Sequence, residues 1–165
     1  MAERHPFVLL DDAREHGAAD ALLFENPRQV FVAHRPDEVA DVLCAAEQAR
    51  KSGGELAGFI AYEAGLALED RLRPLAHARS GAAGPLVWLG LFDAPTRIAA
   101  ADMPDWLAAH AQGPGSVGPL DPQLSPGGYE KAFATLQEAI RAGDIYQANL
   151  TFPLAGNFTG DPVGL

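Results

Sequence analysis

The segment from Ser125 to Phe152 constrains the fold most tightly, because it dictates a helix, a stop and a strand in immediate succession. Ser125-Pro126 reads as an N-cap followed by proline in the first helical turn, where the missing N–H costs nothing. Tyr129, Ala132, Phe133, Leu136 and Ile140 recur at offsets of three and four and form one apolar stripe, leaving Glu130, Lys131, Glu138 and Arg141 mostly toward water. Gly143 supplies a left-handed stop. Beyond it the spacing predicts a strand over Ile145 to Phe152, with Gln147, Asn149 and Thr151 on one face and Tyr146, Ala148, Leu150 and Phe152 on the other. A half-wet antiparallel strand and the wall of a polar cavity both satisfy that pattern.

Composition excludes several classes of partner. The chain has 165 residues, 48% of them hydrophobic, which is enough to build a core. A formal charge of -10, from 22 acidic against 12 basic residues, argues against nonspecific nucleic-acid binding and against an anionic membrane surface. The five histidines, His5, His16, His34, His77 and His110, lack metal-ligand spacing and read as structural or solvated. Cys44, the one cysteine, excludes an intramolecular disulfide and suits a reducing, cytoplasmic setting. No leader-like N-terminus or membrane-length apolar run is present in the sequence.

The first hundred residues alternate short strands with turns. Phe7 to Leu10, Ala21 to Phe24 and Val30 to Ala33 are expected as three strands of one sheet. Asp37 is expected to cap a helix carrying Val39, Val42, Leu43, Ala46 and Ala49 inward, with Gly53-Gly54 ending it. Leu56 to Tyr62 is an apolar run interrupted by Gly58, a position that calls for a bulge or a close backbone approach. Glu63 to Glu69 suits a short helix or a loop, and Pro74 to Gly84 a flexible surface connection. Pro85 to Phe92, which contains Trp88, is the most hydrophobic segment and is expected as a buried strand, with Arg97 to Ala101 as its partner. A short helix over Pro104 to Ala111 follows.

Gln112 to Asp121-Pro122 is rich in Gly and Pro without periodicity, which predicts a linker or long exposed crossover. The expected organisation is therefore an N-terminal α+β region over 1–111, a linker over 112–124, and the start of a second domain over 125–165. What lies beyond the linker is too small to bury a core alone and is expected to need more polypeptide.

Two stretches carry a resemblance. Tyr129-Glu130-Lys131-Ala132, followed by Ile140-Arg141-Ala142-Gly143-Asp144-Ile145-Tyr146-Gln147-Ala148-Asn149-Leu150-Thr151, resembles the opening of the chorismate-binding domain of the chorismate-utilising enzymes. That family includes anthranilate synthase component I and aminodeoxychorismate synthase component I. Phe7 to Arg14, Phe24-Glu25-Asn26-Pro27 and Gly58 to Ala64 are similar to the N-terminal region of the aminodeoxychorismate synthases, particularly those fused to a lyase domain. Tyr146-Gln147-Ala148-Asn149-Leu150 is similar to the folate-type wording of the motif.

The resemblance implies an α+β fold, a sandwich of mostly antiparallel β-sheets with helices outside, of the anthranilate synthase component I type and incomplete in this chain. It implies chorismate as substrate, Mg²⁺, ammonia from a glutamine amidotransferase partner and, in fused relatives, a downstream aminodeoxychorismate lyase domain. It places the family's catalytic lysine, general acid/base residues and metal-binding glutamates in a C-terminal portion, so no catalytic or metal-binding residue is assigned to these residues. Gln147, Asn149 and Thr151 become candidates to line the substrate cavity. A segment matching Leu9-Leu10-Asp11-Asp12 borders an amino-acid pocket for tryptophan in the family, which makes Leu10, Asp11 and Asp12 a second candidate. The familiar wording has serine where Asp12 stands, and a second carboxylate disfavours an amino acid's own.

Residue chemistry points the same way. Chorismate is a dicarboxylate, so a competent site needs fixed cations or clustered N–H donors, and Mg²⁺ needs convergent carboxylates. After the linker only Lys131 and Arg141 are cationic, both on the expected solvent side of a helix, and Asp144 and Asp161 form no recognisable metal pair. Glu63 at a strand exit, His34 beside Arg35 and Tyr129 at a helix start each have ordinary structural readings: solvation or capping, a surface pair, and a core anchor. Anthranilate synthase component I of the tryptophan branch, an isochorismate or salicylate synthase, and a non-catalytic binding or regulatory module derived from the family are the competing readings.

Overall fold

The computed structural model describes residues 6–79 and 84–165. It divides into two compact units, Met1–Met103 and Pro104–Leu165.

In the first unit, two three-stranded sheets are built entirely from antiparallel pairs. Strands β1 (Phe7–Leu10), β2 (Ala21–Glu25) and β6 (Thr96–Ile98) form sheet A in the order β1-β2-β6. Strands β3 (Gln29–Ala33), β4 (Glu55–Ile60) and β5 (Val87–Phe92) form sheet B in the order β3-β5-β4. The first three strands thus divide between two sheets. The reason lies in Glu25-Asn26-Pro27: Asn26 takes a left-handed φ of 54°, which asparagine tolerates better than most residues, and the chain turns a corner there. The Arg28 backbone N–H then donates to the Leu91 carbonyl at 2.7 Å and starts sheet B. A second corner at Asp93 to Pro95 returns the chain to sheet A. The segment expected to pair with β5 therefore pairs with β2, in the register Ala21↔Ile98.

Pleat alternation assigns the faces of sheet B. Ala57, Trp88 and Phe92 point toward sheet A, where Phe92 meets Phe24 with ring centroids 5.5 Å apart, flanked by Val8 and Leu22. Phe31, Ala33, Val87 and Leu91 point the other way, toward helix α1 (Val39–Lys51), which buries Val39 and Ala46 against them. Helix α2 (Ala64–Leu68) adds Ala64 and Ala67 to that layer, and α3 (Arg73–Arg79) follows it. The order is sheet, sheet, helix, with β5 central in its sheet and fully hydrophobic apart from Gly90, as its run of apolar residues predicts. The connection expected over Pro74 to Gly84 is helical through Arg79, and its residues 80–83 lie outside the described residues.

The cap of α1 differs from expectation. A 3₁₀ turn over Pro36–Glu38 precedes the helix, and Glu38 rather than Asp37 folds back, its carboxylate accepting from the backbone N–H groups of His34 at 2.9 Å and Arg35 at 3.0 Å. Those two bonds hold the Glu38 carboxyl below the usual range. Asp37 pairs with Arg35 at 3.2 Å instead. Proline at the first turn position sets this geometry, and the longer glutamate side chain has the reach to return to residues 34 and 35.

Gly58 shows why an apolar strand contains a glycine. Its φ is +150°, and a Cβ there would sit 2.1 Å from the Trp88 carbonyl oxygen, so only glycine admits this approach of β4 to β5.

The second unit begins with helix α4 (Met103–His110), whose first residue belongs to the preceding unit. The expected linker is one leg of a two-stranded ribbon. Strands β7 (Gly115–Val117) and β8 (Asp121–Pro122) pair antiparallel with β10 (Phe158–Gly160) and β9 (Leu154–Ala155), respectively. Gly118 N–H to Asn157 carbonyl and Gln123 N–H to Pro153 carbonyl, both 2.8 Å, continue the pairing. Of the glycines in this leg Gly115 is closely packed, since a Cβ there would meet the Asp161 carbonyl at 2.5 Å, whereas Gly113 has nothing within 4 Å. At Gly160, with φ +94°, a Cβ would meet the Pro114 carbonyl at 2.0 Å. Helix α5 (Pro126–Ala142) rises from between the two legs.

Candidate functional site

Helix α5 begins and ends as its sequence dictates. The Ser125 hydroxyl accepts from the Gly128 N–H at 3.1 Å, and Gly143 closes the helix at φ 81°, with the Gly143 and Asp144 N–H groups returning to the Ile140 and Ala139 carbonyls at 3.1 and 2.9 Å. The segment after it is not a strand. Residues 145–153 have no ladder partner, because the ribbon pairs Leu154–Ala155 and Phe158–Gly160 instead. Alternation consequently sorts nothing: Gln147, Asn149 and Thr151 are exposed, and so is Tyr146, at 92%. What holds the segment is aromatic. Phe152 meets the Tyr129 ring edge-on at 6.0 Å, and Tyr129 stacks along Phe133 at 6.2 Å, so the segment folds back beside α5. Tyr129 anchors this contact while remaining half-exposed, and no residue of α5 is fully buried.

The second candidate lies at the end of β1. Leu10 is half-exposed and Asp11 exposed, whereas Asp12 is the hub of the β1–β2 connection. Its carboxylate accepts from Arg14 Nε at 2.9 and 3.0 Å, from Arg14 Nη2 at 2.5 Å and from the Ala19 N–H at 2.9 Å. The Arg14 bonds first, and the Ala19 bond second, hold the Asp12 carboxyl far below the usual carboxylate range, and the same pair raises the Arg14 pKa. An aspartate so engaged organises its own loop. The strand itself borders an apolar cleft of about 500 Å³, walled by Phe7, Val8, Leu9, Gly58, Phe59 and Trp88; Leu10, Asp11 and Asp12 are not among its lining residues. Neither the Asp12–Arg14 knot nor this cleft was foreseen. The Asp-x-Arg spacing was the available signal for the first, and the second arises where two sheets come together.

The remaining titratable groups are dispersed. Among the described residues no three His, Cys, Asp or Glu side chains converge on a metal position, so these residues do not fit a Mg²⁺ site. Lys131 is exposed, and Arg141 reaches Glu138 of its own helix at 3.7 Å. Glu63 stands at the N-cap position of α2 without a capping bond from its side chain. His110 stacks on Trp106 at 4.1 Å, and Cys44 is exposed on α1. No helix among the described residues is long and apolar enough to cross a membrane.

Antiparallel sheets with helices packed on them define an α+β protein. The family described as chorismate binding enzyme matches residues 5–165, and the chain belongs to that family, whose members are chorismate-utilising enzymes. No curated protein and no solved structure matches the chain.

Proposed function

We propose that these residues are the N-terminal part of an aminodeoxychorismate synthase component I, built on the anthranilate synthase component I plan, which aminates chorismate to 4-amino-4-deoxychorismate in the folate branch. The observation that carries this reading is the wording Tyr146-Gln147-Ala148-Asn149-Leu150 inside a stretch matched end to end by the family. Similarity at Phe7 to Arg14 and Gly58 to Ala64 supports it from the other unit.

In this reading the longer parent works in the cytoplasm, takes ammonia from a glutamine amidotransferase subunit and uses Mg²⁺. Mg²⁺ supplies charge neutralisation for a carboxylate substrate when bound. No step is assigned to it on the present residues, which offer no convergent carboxylates. Gln147, Asn149 and Thr151 contribute amide and hydroxyl groups to one wall of the substrate cavity once 145–152 gains strand partners; the chain supplies no catalytic residue.

Two measurements test the proposal. Full-length parent incubated with chorismate, ammonia and Mg²⁺ should yield 4-amino-4-deoxychorismate; anthranilate as product would move it to the tryptophan branch, and isochorismate or salicylate would remove the amination reading. The purified 165-residue chain should form no product under the same conditions.

A further inference from the structure

The stretch 145–152 is fixed at both ends by backbone bonds. At one end the Asp144 N–H donates to the Ala139 carbonyl at 2.9 Å, and just past the other the Pro153 carbonyl accepts from the Gln123 N–H at 2.8 Å. Within it, Phe152 lies edge-on to Tyr129 at 6.0 Å, and Leu150, two residues earlier, is half-buried while Asn149 and Thr151 on either side of it are exposed. α5 leaves the stripe to which Tyr129 belongs open to water: Tyr129, Phe133 and Ile140 are 42%, 47% and 37% exposed. The two match in length and direction. From Tyr129 to Ile140 a helix rises about 16 Å, and from Tyr146 to Phe152 an extended chain covers about 20 Å. The chain runs back along the helix, because Gly143 turns it and Phe152 ends beside the first turn of α5.

We propose that Tyr129 is a positioning residue for Gln147, Asn149 and Thr151, acting through Phe152. An extended chain alternates its faces. With Phe152 seated on Tyr129, Leu150, Ala148 and Tyr146 share its face, toward the open stripe of α5, and Thr151, Asn149 and Gln147 are turned away from the helix. A slip of one residue would exchange the two sets and aim the amides and the hydroxyl at an apolar stripe. The inference rests on the proposed reading of those three residues as one wall of the substrate cavity, and it supplies what gives that wall its direction. Neither aromatic ring needs to touch the substrate, and the Tyr129 hydroxyl takes no part.

The test is steady-state kinetics of the full-length parent with chorismate, ammonia and Mg²⁺, for Tyr129→Leu, which keeps the stripe apolar but removes the ring, and for Tyr129→Phe, which keeps the ring. Tyr129→Leu should raise the KM for chorismate about tenfold, as the loss of a hydrogen bond to a charged group does, while kcat falls less and far-ultraviolet circular dichroism is unchanged. Tyr129→Phe should leave KM where it was. A KM unmoved by Tyr129→Leu, or moved equally by Tyr129→Phe, overturns the proposal. A thermal-unfolding cycle of Tyr129→Leu, Phe152→Leu and the double variant needs no turnover: the double shift should fall short of the sum of the single shifts, and additive shifts overturn the proposal. A parent that leaves chorismate unchanged removes the proposed function instead, and the unfolding cycle then still decides whether Tyr129 seats Phe152.

Discussion

Replacing Gly58 by alanine isolates the energetic role of one close backbone approach. Two costs add. A φ of +150° is a conformation that residues with a Cβ rarely adopt, and such strain costs about 1–3 kcal/mol. The new Cβ would also stand 2.1 Å from the Trp88 carbonyl oxygen and 3.0 Å from Leu89 Cα, both backbone atoms that cannot rotate away. β4 must therefore part from β5 around the Gly58↔Leu89 pair, at a cost of about 1 kcal/mol for each ladder bond lost. With one or two bonds lost, the total is about 2–5 kcal/mol, a large share of a typical domain stability of about 5–15 kcal/mol. Gly53→Ala is the control, since φ there is +111° but nothing lies within 4 Å of the added atom; it should show the conformational cost alone. Gly65→Ala, inside α2 and also in open space, should stabilise by about 0.5–1 kcal/mol. Urea unfolding followed by Trp88 fluorescence in a Trp106→Phe background reads the first unit for all three. If Gly58→Ala and Gly53→Ala fall within about 0.5 kcal/mol of each other, the close approach contributes nothing and the reasoning fails.

Other outcomes follow from single contacts. Phe92→Ala removes the ring that meets Phe24 from a site only 1% exposed, and should destabilise the first unit by about 3–5 kcal/mol in the same unfolding assay. Ser125→Ala should cost about 1 kcal/mol and speed amide exchange in the first turn of α5, because the Gly128 N–H loses its acceptor. The folded-state pKa of Asp12 is depressed, so its contribution is complete at neutral pH and is lost as pH falls below the unfolded value of about 4 toward the folded one. Protection of the Ala19 amide, taken relative to its intrinsic exchange rate at each pH, should fall in that acid range, and Asp12→Ala should lack that protection at every pH.

Local signals in this chain were readable where the chain's own neighbours satisfy them. The caps of α5 need only Ser125, Gly128 and Gly143, and β5 needs only an unbroken apolar run, so both were legible. Sheet membership was not, because the turn at Asn26 and the corner at Asp93 to Pro95 decide it through backbone direction rather than hydrophobicity. Residues 112–124 differ for a related reason: Gly and Pro read as slack, yet two short stretches of them pair with 154–160, and Gly115 sits where the legs touch. The segment 145–152 has a strand's alternation without a strand's partner, and alternation cannot supply one. Asp12 was visible as a departure from the family wording, but the guanidinium that engages it was not.

The ribbon has a consequence for how the signature stretch is carried. Since the Gln123 N–H meets the Pro153 carbonyl at 2.8 Å, everything from 124 to 152 leaves and re-enters the chain at adjoining points. Topologically the stretch is a cassette on a stalk. A tight turn joining Gln123 to Pro153 would keep the hairpin while removing the cassette, and the same two points could receive the corresponding stretch of another family member without altering any pairing below them.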